Sequence, residues 1–190
     1  MKHAILLSLC IIMLLEGCAH LEVPTKDIYP FRAEFIAQGD FQGKDMNMTG
    51  AVYLTSGWAG IIQTYLPGGL ASYTIDILSD RLVIKDMWGT QMDMIKLPIS
   101  GIAGLIAGDM PPQRYLYKEK TPRGIKVVYT WGVLHINDVF LPTEIHIQGN
   151  PAVDIFFKPA GRNVTMDVNC GTDVIKILFI VKQGGRWISS

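Results

Sequence analysis

The chain has 190 residues, of which 49% are hydrophobic and 18% are charged. Its 17 Lys and Arg residues balance its 17 Asp and Glu residues, so the formal net charge is zero. This length predicts one domain with a sizeable core, and the lack of a basic run argues against nucleic acid as a partner.

The N-terminal residues have the pattern of a secretory signal. A short basic start precedes an apolar run from Ala4 to Leu15, which is shorter than the roughly 20 residues that a membrane-spanning helix needs. The run ends in Leu-Glu-Gly-Cys at positions 15–18, which resembles the lipobox of bacterial lipoproteins except that Glu16 replaces a small residue. The pattern therefore indicates cleavage before Cys18. The alternative is an ordinary secretory signal with a chance cysteine.

A cysteine at position 18 suits a lipid anchor because its thiolate is a strong nucleophile that can form a thioether to diacylglycerol. Stable anchoring takes more than one acyl chain, and the resemblance to lipoproteins implies three at Cys18, palmitate among them. In the same resemblance, Ala19 in place of Asp implies an outer-membrane protein that faces the periplasm.

These features divide the chain into three parts. We expect residues 1–17 to be a lipoprotein signal peptide, residues 18–30 a lipidated tether, and residues 31–190 a single β-rich domain. Cys10 would leave with the signal peptide, so Cys170 would be the remaining free thiol and no internal disulfide could form. We interpret Cys170 as a small, partly buried apolar residue.

From Phe31 onward, apolar and polar residues alternate with a period of two, which is typical of half-buried strands. The alternation predicts five strands in the first half of the chain, separated by short turns rich in Gly, Pro, Ser and Asp. These strands are Phe31–Phe41, Met46–Thr55, Trp58–Leu66, Ser72–Ile77 and Arg81–Asp86.

The pattern changes in the middle of the chain, where Gln91–Ala107 is apolar without clean alternation. It is the best helical candidate, interpreted as two short helices broken at Pro98, although Gly101 and Gly104 weaken it because glycine costs up to about 1 kcal/mol against alanine in a helix. The run Gly108–Pro112 ends it.

Period-two alternation returns in the second half of the chain. The predicted strands are one near Tyr115, then Ile125–Leu134, Leu141–Gln148, Val153–Lys158, Val164–Asn169 and Val174–Lys182. The last strand is apolar on both faces apart from Lys176, so we expect it to lie at the centre of the sheet or under a cover.

About ten short strands and one helical insertion predict a mainly β (α+β) fold. The expected architecture is a strongly curved antiparallel half-barrel with a short helical lid over its concave face. A barrel-like sheet that its own side chains do not fill leaves a cavity of lipid size.

The residues give little support to catalysis. His135 and His146 have no metal-ligand spacing, no Gly-x-Ser-x-Gly elbow occurs, and the carboxylates are scattered over turns and polar faces. We therefore expect no enzyme, no bound metal and no cofactor, and we rank a periplasmic hydrolase far below the other functions.

Three short segments carry a family resemblance. They are the Pro-Gly turn in Tyr65–Leu70, the mid-chain stretch Leu97–Pro111, and the strand start Leu141–Ile145. Together with the lipobox they resemble the LolB-like outer-membrane lipoprotein receptors, over most of residues 31–158. The chain departs from that family at Gly68, where the family has a protruding leucine, and at Leu105 or a neighbouring residue, where it has a tryptophan.

The resemblance implies a LolA/LolB-like fold whose apolar hollow receives the acyl chains of lipoproteins or phospholipids, with a periplasmic carrier protein as a possible partner. Residues at the mouth would be Leu66, Pro67 and Leu70. The residues expected to line the hollow are Phe35, Val52, Leu54, Ile75, Ile77, Ile95, Ile102, Leu105, Ile106, Val127 and Tyr129.

Two alternatives stay open at this point. The apolar residues would have the same pattern in an ordinary filled core, because periodicity does not distinguish a lined cavity from a packed one. A function of another class is a structural or assembly lipoprotein of the envelope, which would bind protein partners through exposed sheet edges.

Overall fold

The computed structural model describes residues 28–66, 70–97 and 100–189. These residues form one antiparallel sheet of 13 strands and very little helix. The predicted signal peptide, Cys18 and Pro67 lie outside the described residues. The strands are β1 (Phe31–Phe41), β2 (Lys44–Ser56), β3 (Ala59–Tyr65), β4 (Ala71–Ile77), β5 (Arg81–Asp86), β6 (Gln91–Lys96), β7 (Tyr117–Thr121), β8 (Gly124–Tyr129), β9 (Gly132–Ile136), β10 (Pro142–Ile147), β11 (Val153–Ala160), β12 (Asn163–Cys170) and β13 (Asp173–Gln183).

The sheet consists of two meanders that meet in the middle. Its strand order is β6-β5-β4-β3-β2-β1-β13-β12-β11-β10-β9-β8-β7, so the first and last strands pair with each other while β6 and β7 form the two edges. The β1–β13 pairing places Phe35 opposite Phe179 and Ala37 opposite Ile177. The central place expected for the apolar strand Val174–Lys182 is therefore confirmed.

The half-barrel prediction is confirmed in its coarse form, as an open, curved and mainly antiparallel sheet. The helix predicted over Gln91–Ala107 is wrong for its first part, because residues 91–96 form strand β6 along the edge of β5, with Ile95 opposite Leu82 and Met94 opposite Val83. Backbone pairing with an available strand outweighs the weak helical preference of a six-residue segment. The remaining helix, α1, covers only Ile102–Ile106.

The single strand predicted over Ile125–Leu134 is also wrong, because it contains a hairpin. Tyr129 pairs with Gly132 across a two-residue turn, so β8 and β9 lie side by side. The side chains stay in phase through the turn, since Val127 and Leu134 face each other on one side of the sheet. Periodicity therefore did not reveal the turn. Strands β6 and β9 are the additional strands that the sequence analysis did not predict.

One end of the sheet carries the short helices, and we call it the lid end. There the N–H of Gly104 in α1 donates to the carbonyl of Gly57 in the β2–β3 turn at 3.2 Å, and the N–H of Gly101 donates to the carbonyl of Ser79 at 3.2 Å. A 3₁₀ helix, Arg186–Ser189, joins the same end, since the N–H of Arg186 donates to the carbonyl of Ala107 at 2.8 Å. The β3–β4 loop and the β5–β6 turn lie at the opposite end, the tip end.

Candidate functional site

Alternating burial distinguishes the two faces of the sheet, and we call the face with the buried side chains the inner face. On strands β8–β13, which we call the closed wing, this face is packed. Val127, Leu134 and Ile145 stand side by side across β8, β9 and β10, and each of them is fully buried. The row continues to Ile155 on β11, which is also buried.

Strands β3–β6, which we call the open wing, present a less covered inner face. The corresponding row there is Ile62, Ile75 and Ile84, side by side across β3, β4 and β5, and all three are only partly buried. In the neighbouring row the exposure rises toward the edge, from Ile77 at 2% to Ile95 at 45%. The open wing is therefore an apolar trough that is partly accessible to solvent.

The C-terminal 3₁₀ helix explains why the closed wing is covered. Trp187 is 1% exposed and stacks on Phe157 of β11 with ring centroids 5.5 Å apart. Its Nε1 donates a hydrogen bond to the carbonyl of Ile106 at 2.8 Å. Gly108 lies directly against the indole, where a side chain would meet the ring atoms. Trp187 therefore fills the inner face and ties the C-terminal segment to α1.

The segment after α1 also packs against the core, through Met110 and Tyr115. It leads from the lid end to Leu116, whose N–H donates to the carbonyl of Val128 at 2.7 Å. On the way, Gln113 accepts a hydrogen bond from Nε1 of Trp131, and Trp131 stacks on Tyr129 at 4.7 Å. Burial of the Tyr129 phenol, together with the nearby Tyr115 phenol, raises the pKa of Tyr129 to about 12.

Polar groups at the lid end hold the helical segment to the start of β1. The hydroxyl of Tyr29 donates to Oδ2 of Asp109 at 3.3 Å. Burial and the Asp109 carboxylate raise the pKa of Tyr29, because both disfavour the phenolate. Burial lowers the pKa of Arg186, and the Asp109 carboxylate partly opposes that shift. These groups influence one another within the fold, so we assign them to its stability.

The residues that were expected to line a hollow fall into two groups. Most of them are fully buried and pack in the core, which is the arrangement that the filled-core alternative describes. They are Phe35, Val52, Leu54, Ile77, Leu105, Val127 and Tyr129. The others are accessible: Ile75, Ile102 and Ile106 are partly buried and Ile95 is exposed. Acyl-chain binding by any of them stays a prediction.

Sequence reasoning missed several residues of the trough. Ile62, Leu82 and Ile84 belong to it, because they stand beside Ile75 and Ile77 on the inner face. Tyr73, which is exposed on the same face of β4, continues it toward the tip end. Their period-two phase was visible in the sequence, but only the strand register places them next to Ile75.

The tip end of the open wing carries a rim of exposed apolar side chains. The predicted mouth residues Leu66 and Leu70 are exposed there, and Pro67 between them lies outside the described residues. The β5–β6 turn adds Met87 and Trp88, which sequence reasoning did not select. The trough therefore opens toward an apolar rim.

The polar side chains on the outer face give little support for a chemical reaction there. A pocket of about 410 Å³ beside β7, β9 and β10 is lined by Thr121, Pro122, Arg123, His135, Thr143 and Glu144. Nδ1 of His146 lies 2.6 Å from Oδ1 of Asp154, and both residues are only partly buried. Within the described ranges, no three His, Cys, Asp or Glu side chains come together as a metal site.

Comparison with known proteins gives a structural relative only. No protein-family model matches the chain, and no curated protein matches it. A solved structure of a LolA superfamily protein from Nitrosomonas europaea superposes with a TM-score of 0.51, covering 88% of this chain and 90% of that one at 11% identity. The fold is LolA-like. At this identity the likeness establishes the architecture alone.

The LolA-like fold agrees with the coarse form of the resemblance, a LolA/LolB-like fold, and does not by itself show a specific receptor family. Among the residues that the structure describes, no helix is long and apolar enough to cross a membrane. The site that combines apolar lining with access from solvent is the trough on the inner face of β3–β6.

Proposed function

We propose that this protein binds the apolar chains of lipids or lipoproteins in the trough of the open wing, without catalysing a reaction. The observation that carries the proposal is the gradient of burial along the inner face, from Ile77, which is fully buried, to Ile95, which is 45% exposed. Partly exposed apolar side chains in a row are the surface on which a ligand would gain free energy by excluding water.

A short row of isoleucines offers enough apolar surface for a substantial free energy of acyl-chain binding. Each methylene group that leaves water contributes about 0.8 kcal/mol. An acyl chain laid along Ile62, Ile75 and Ile84 would bury several of its methylenes, and the accessible faces of these side chains as well. Apolar lining and an open mouth are sufficient for this function, and it requires no nucleophile or metal.

The proposal includes a membrane anchor at Cys18. A lipid-handling domain gains from being held at the outer membrane, because ligands with long acyl chains partition there. Lipidation rests on the lipobox-like sequence at positions 15–18. Membrane fractionation of a Cys18→Ser chain tests it, and unchanged fractionation would exclude the anchor.

The assembly alternative, binding through sheet edges, has less support from the edge strands. On β6, Oδ1 of Asp93 accepts a hydrogen bond from the N–H of Met94 at 2.7 Å, so this group is already satisfied. On β7, Lys118, Glu119 and Lys120 place charges along the edge. Both features discourage the addition of a foreign strand.

Two adjacent residues of β6 provide a test of the trough. Ile95 faces the inner side opposite Leu82, whereas Met94 faces the outer side opposite Val83, and both are exposed. We expect Ile95→Glu to weaken binding of a fluorescent fatty acid about tenfold or more, because a carboxylate in contact with an acyl chain loses hydration. Met94→Glu should change the affinity less than about twofold.

The binding is measured by titrating the fatty-acid probe into a chain that begins at Ala19 and so lacks the proposed lipidation site, so that no acyl chain of its own competes. Thermal unfolding of both variants shows whether they remain folded. Equal affinities of the two variants, or no uptake of the probe by the parent chain, would rule out the trough as the binding site.

A further inference from the structure

The most exposed large apolar side chain among the described residues is Trp88, with 81% of its surface accessible. It lies in the β5–β6 turn at the tip end, and its neighbour Met87 is 51% exposed. Leu66 and Leu70, which flank the adjacent β3–β4 loop, are also exposed. An apolar protrusion of this kind on two neighbouring hairpins indicates an interaction surface.

Hydrogen bonds organise the backbone of the β5–β6 turn, on which Trp88 is exposed. Oδ1 of Asp86 accepts hydrogen bonds from the N–H groups of Trp88 at 2.9 Å and Thr90 at 2.8 Å. The N–H of Gly89 donates to the carbonyl of Asp86 at 3.0 Å, and the φ of Gly89 is 83°, a conformation that favours glycine. The turn is thus organised before any partner arrives, which reduces the entropic cost of binding.

The apex of this turn carries no charged side chain. Residues 87–92 contain no ionisable side chain. The Asp86 carboxylate is engaged by the turn, and Nζ of Lys85 pairs with Oδ2 of Asp76 on the outer face. Binding of a partner at the tip must therefore depend on the burial of apolar surface rather than on charge.

We propose that Trp88 and Met87 insert into the interface of a lipid bilayer. An indole ring has an apolar body and one N–H donor, and this combination favours the boundary between headgroups and acyl chains. The apex, residues 87–92, has no cationic side chain with which to bind anionic lipids, so its insertion does not depend on them. The same insertion brings the trough, which opens toward the tip end, next to a source of acyl chains.

The length of the chain before β1 is compatible with this orientation. Residues 18–27 lie outside the described part, and ten residues extend at most about 33–36 Å. Strand β5 has six residues and therefore spans about 20 Å from the lid end to the tip. A chain anchored at Cys18 could therefore reach a membrane that the β5–β6 tip also contacts.

The bilayer inference is independent of acyl binding in the trough, since Trp88 is not part of its lining. It is tested with the full lipidated protein in phosphatidylcholine vesicles, prepared with or without bromine atoms on the lipid acyl chains. Brominated lipid quenches the emission of tryptophans that contact it. Trp58 is the matched control, because it is 41% exposed in the β2–β3 turn at the lid end.

We expect brominated lipid to quench the wild-type protein, and Trp88→Phe to remove about half or more of the quenched emission. Trp58→Phe should leave the quenched emission unchanged. Quenching should occur in pure phosphatidylcholine and should not require that a third of the lipid be replaced with anionic phosphatidylglycerol. Quenching that disappears with Trp58→Phe, or none at all, would overturn the proposal.

A third outcome would identify another occupant. If both brominated lipid and aqueous iodide fail to quench Trp88, the tip is covered by protein, and cross-linking would then show whether the cover is a second copy of this chain. That result also contradicts the bilayer proposal. Probe binding to Trp88→Phe, measured in parallel, separates failure of the tip from failure of the trough.

Discussion

The closed and open wings of the sheet are built from the same kind of strand but have different surroundings. Val127, Leu134 and Ile145 on the closed wing are fully buried, whereas Ile62, Ile75 and Ile84 on the open wing are only partly buried. Both rows consist of β-branched or leucine side chains on the inner face of their strands. Burial in an open sheet therefore depends on what lies over the strands, and not on their pattern.

The cover of the closed wing comes from two distant segments. Trp187 packs on Phe157 and binds the carbonyl of Ile106, and the segment after α1 places Gln113 against Trp131. The open wing has α1 only at its lid end, where Gly101 and Gly104 bind the turns at Ser79 and Gly57. The closed wing therefore supplies stability and the open wing supplies an accessible surface.

The largest effect is expected from removing the cover of the closed wing. Trp187→Ala should lower the free energy of unfolding by about 3–5 kcal/mol, because it leaves a cavity over Phe157 and removes the hydrogen bond to Ile106. Urea unfolding measures this effect. Trp88→Ala is the matched control and should cost within about 0.5 kcal/mol, since its side chain is exposed. A similar loss for both variants would contradict the contrast between the wings.

A pair of isoleucines compares the two wings directly. Ile145→Ala on the closed wing should cost about 2–5 kcal/mol, because its surroundings are fully packed. Ile95→Ala on the open wing should cost under about 1 kcal/mol, because half of this side chain is already in water. Chemical unfolding of the two variants tests the difference, and equal costs would mean that the open wing is covered in solution.

A smaller effect should appear at alkaline pH. The pKa of Tyr129 is raised to about 12, chiefly by burial on the closed wing, while an unfolded phenol titrates near 10. The protonated phenol therefore adds no pH dependence below pH 10, and stability falls as the pH rises from about 10 to about 12, because only the unfolded chain releases its proton.

This alkaline loss is measured as the slope of the unfolding midpoint against pH. Tyr129→Phe should reduce the slope while the ring continues to stack on Trp131. Tyr73→Phe removes an exposed phenol from the open wing and serves as the control. A slope that is unchanged by Tyr129→Phe would show that its burial does not contribute to the alkaline loss.

Much of the architecture was predictable from the sequence, because local alternation determines which residues of a strand face the core. The strands from Phe31 to Asp86 and the central place of Val174–Lys182 followed from that rule. The extra strands β6 and β9 did not. Gln91–Lys96 becomes a strand by pairing with β5, and the hairpin at Thr130 preserves the phase of its flanks, so neither is visible in periodicity.

The candidate site was predictable only in part. Apolar phase selected Ile75 and Ile95, but it also selected Val127 and Leu105, which are sealed in the core. The distinction between accessible and buried positions depends on Trp187, whose hydrogen bond to Ile106 joins positions 81 residues apart. Trp88 was missed because a single tryptophan in a turn has no periodic context, and its outward position depends on the hydrogen bonds of Asp86.

The central pairing of β1 with β13 has a consequence for how the protein is made. Strand β1 emerges before every other strand of the described sheet, yet its second neighbour comes from residues 173–183, more than 130 positions later. Until β13 arrives, β1 presents an unpaired edge beside Phe31 and Phe35. Long-range pairing of this kind is slow and leaves such an edge open to aggregation. We therefore infer that the nascent chain needs protection by a chaperone or by its translocation machinery until its last strand is released.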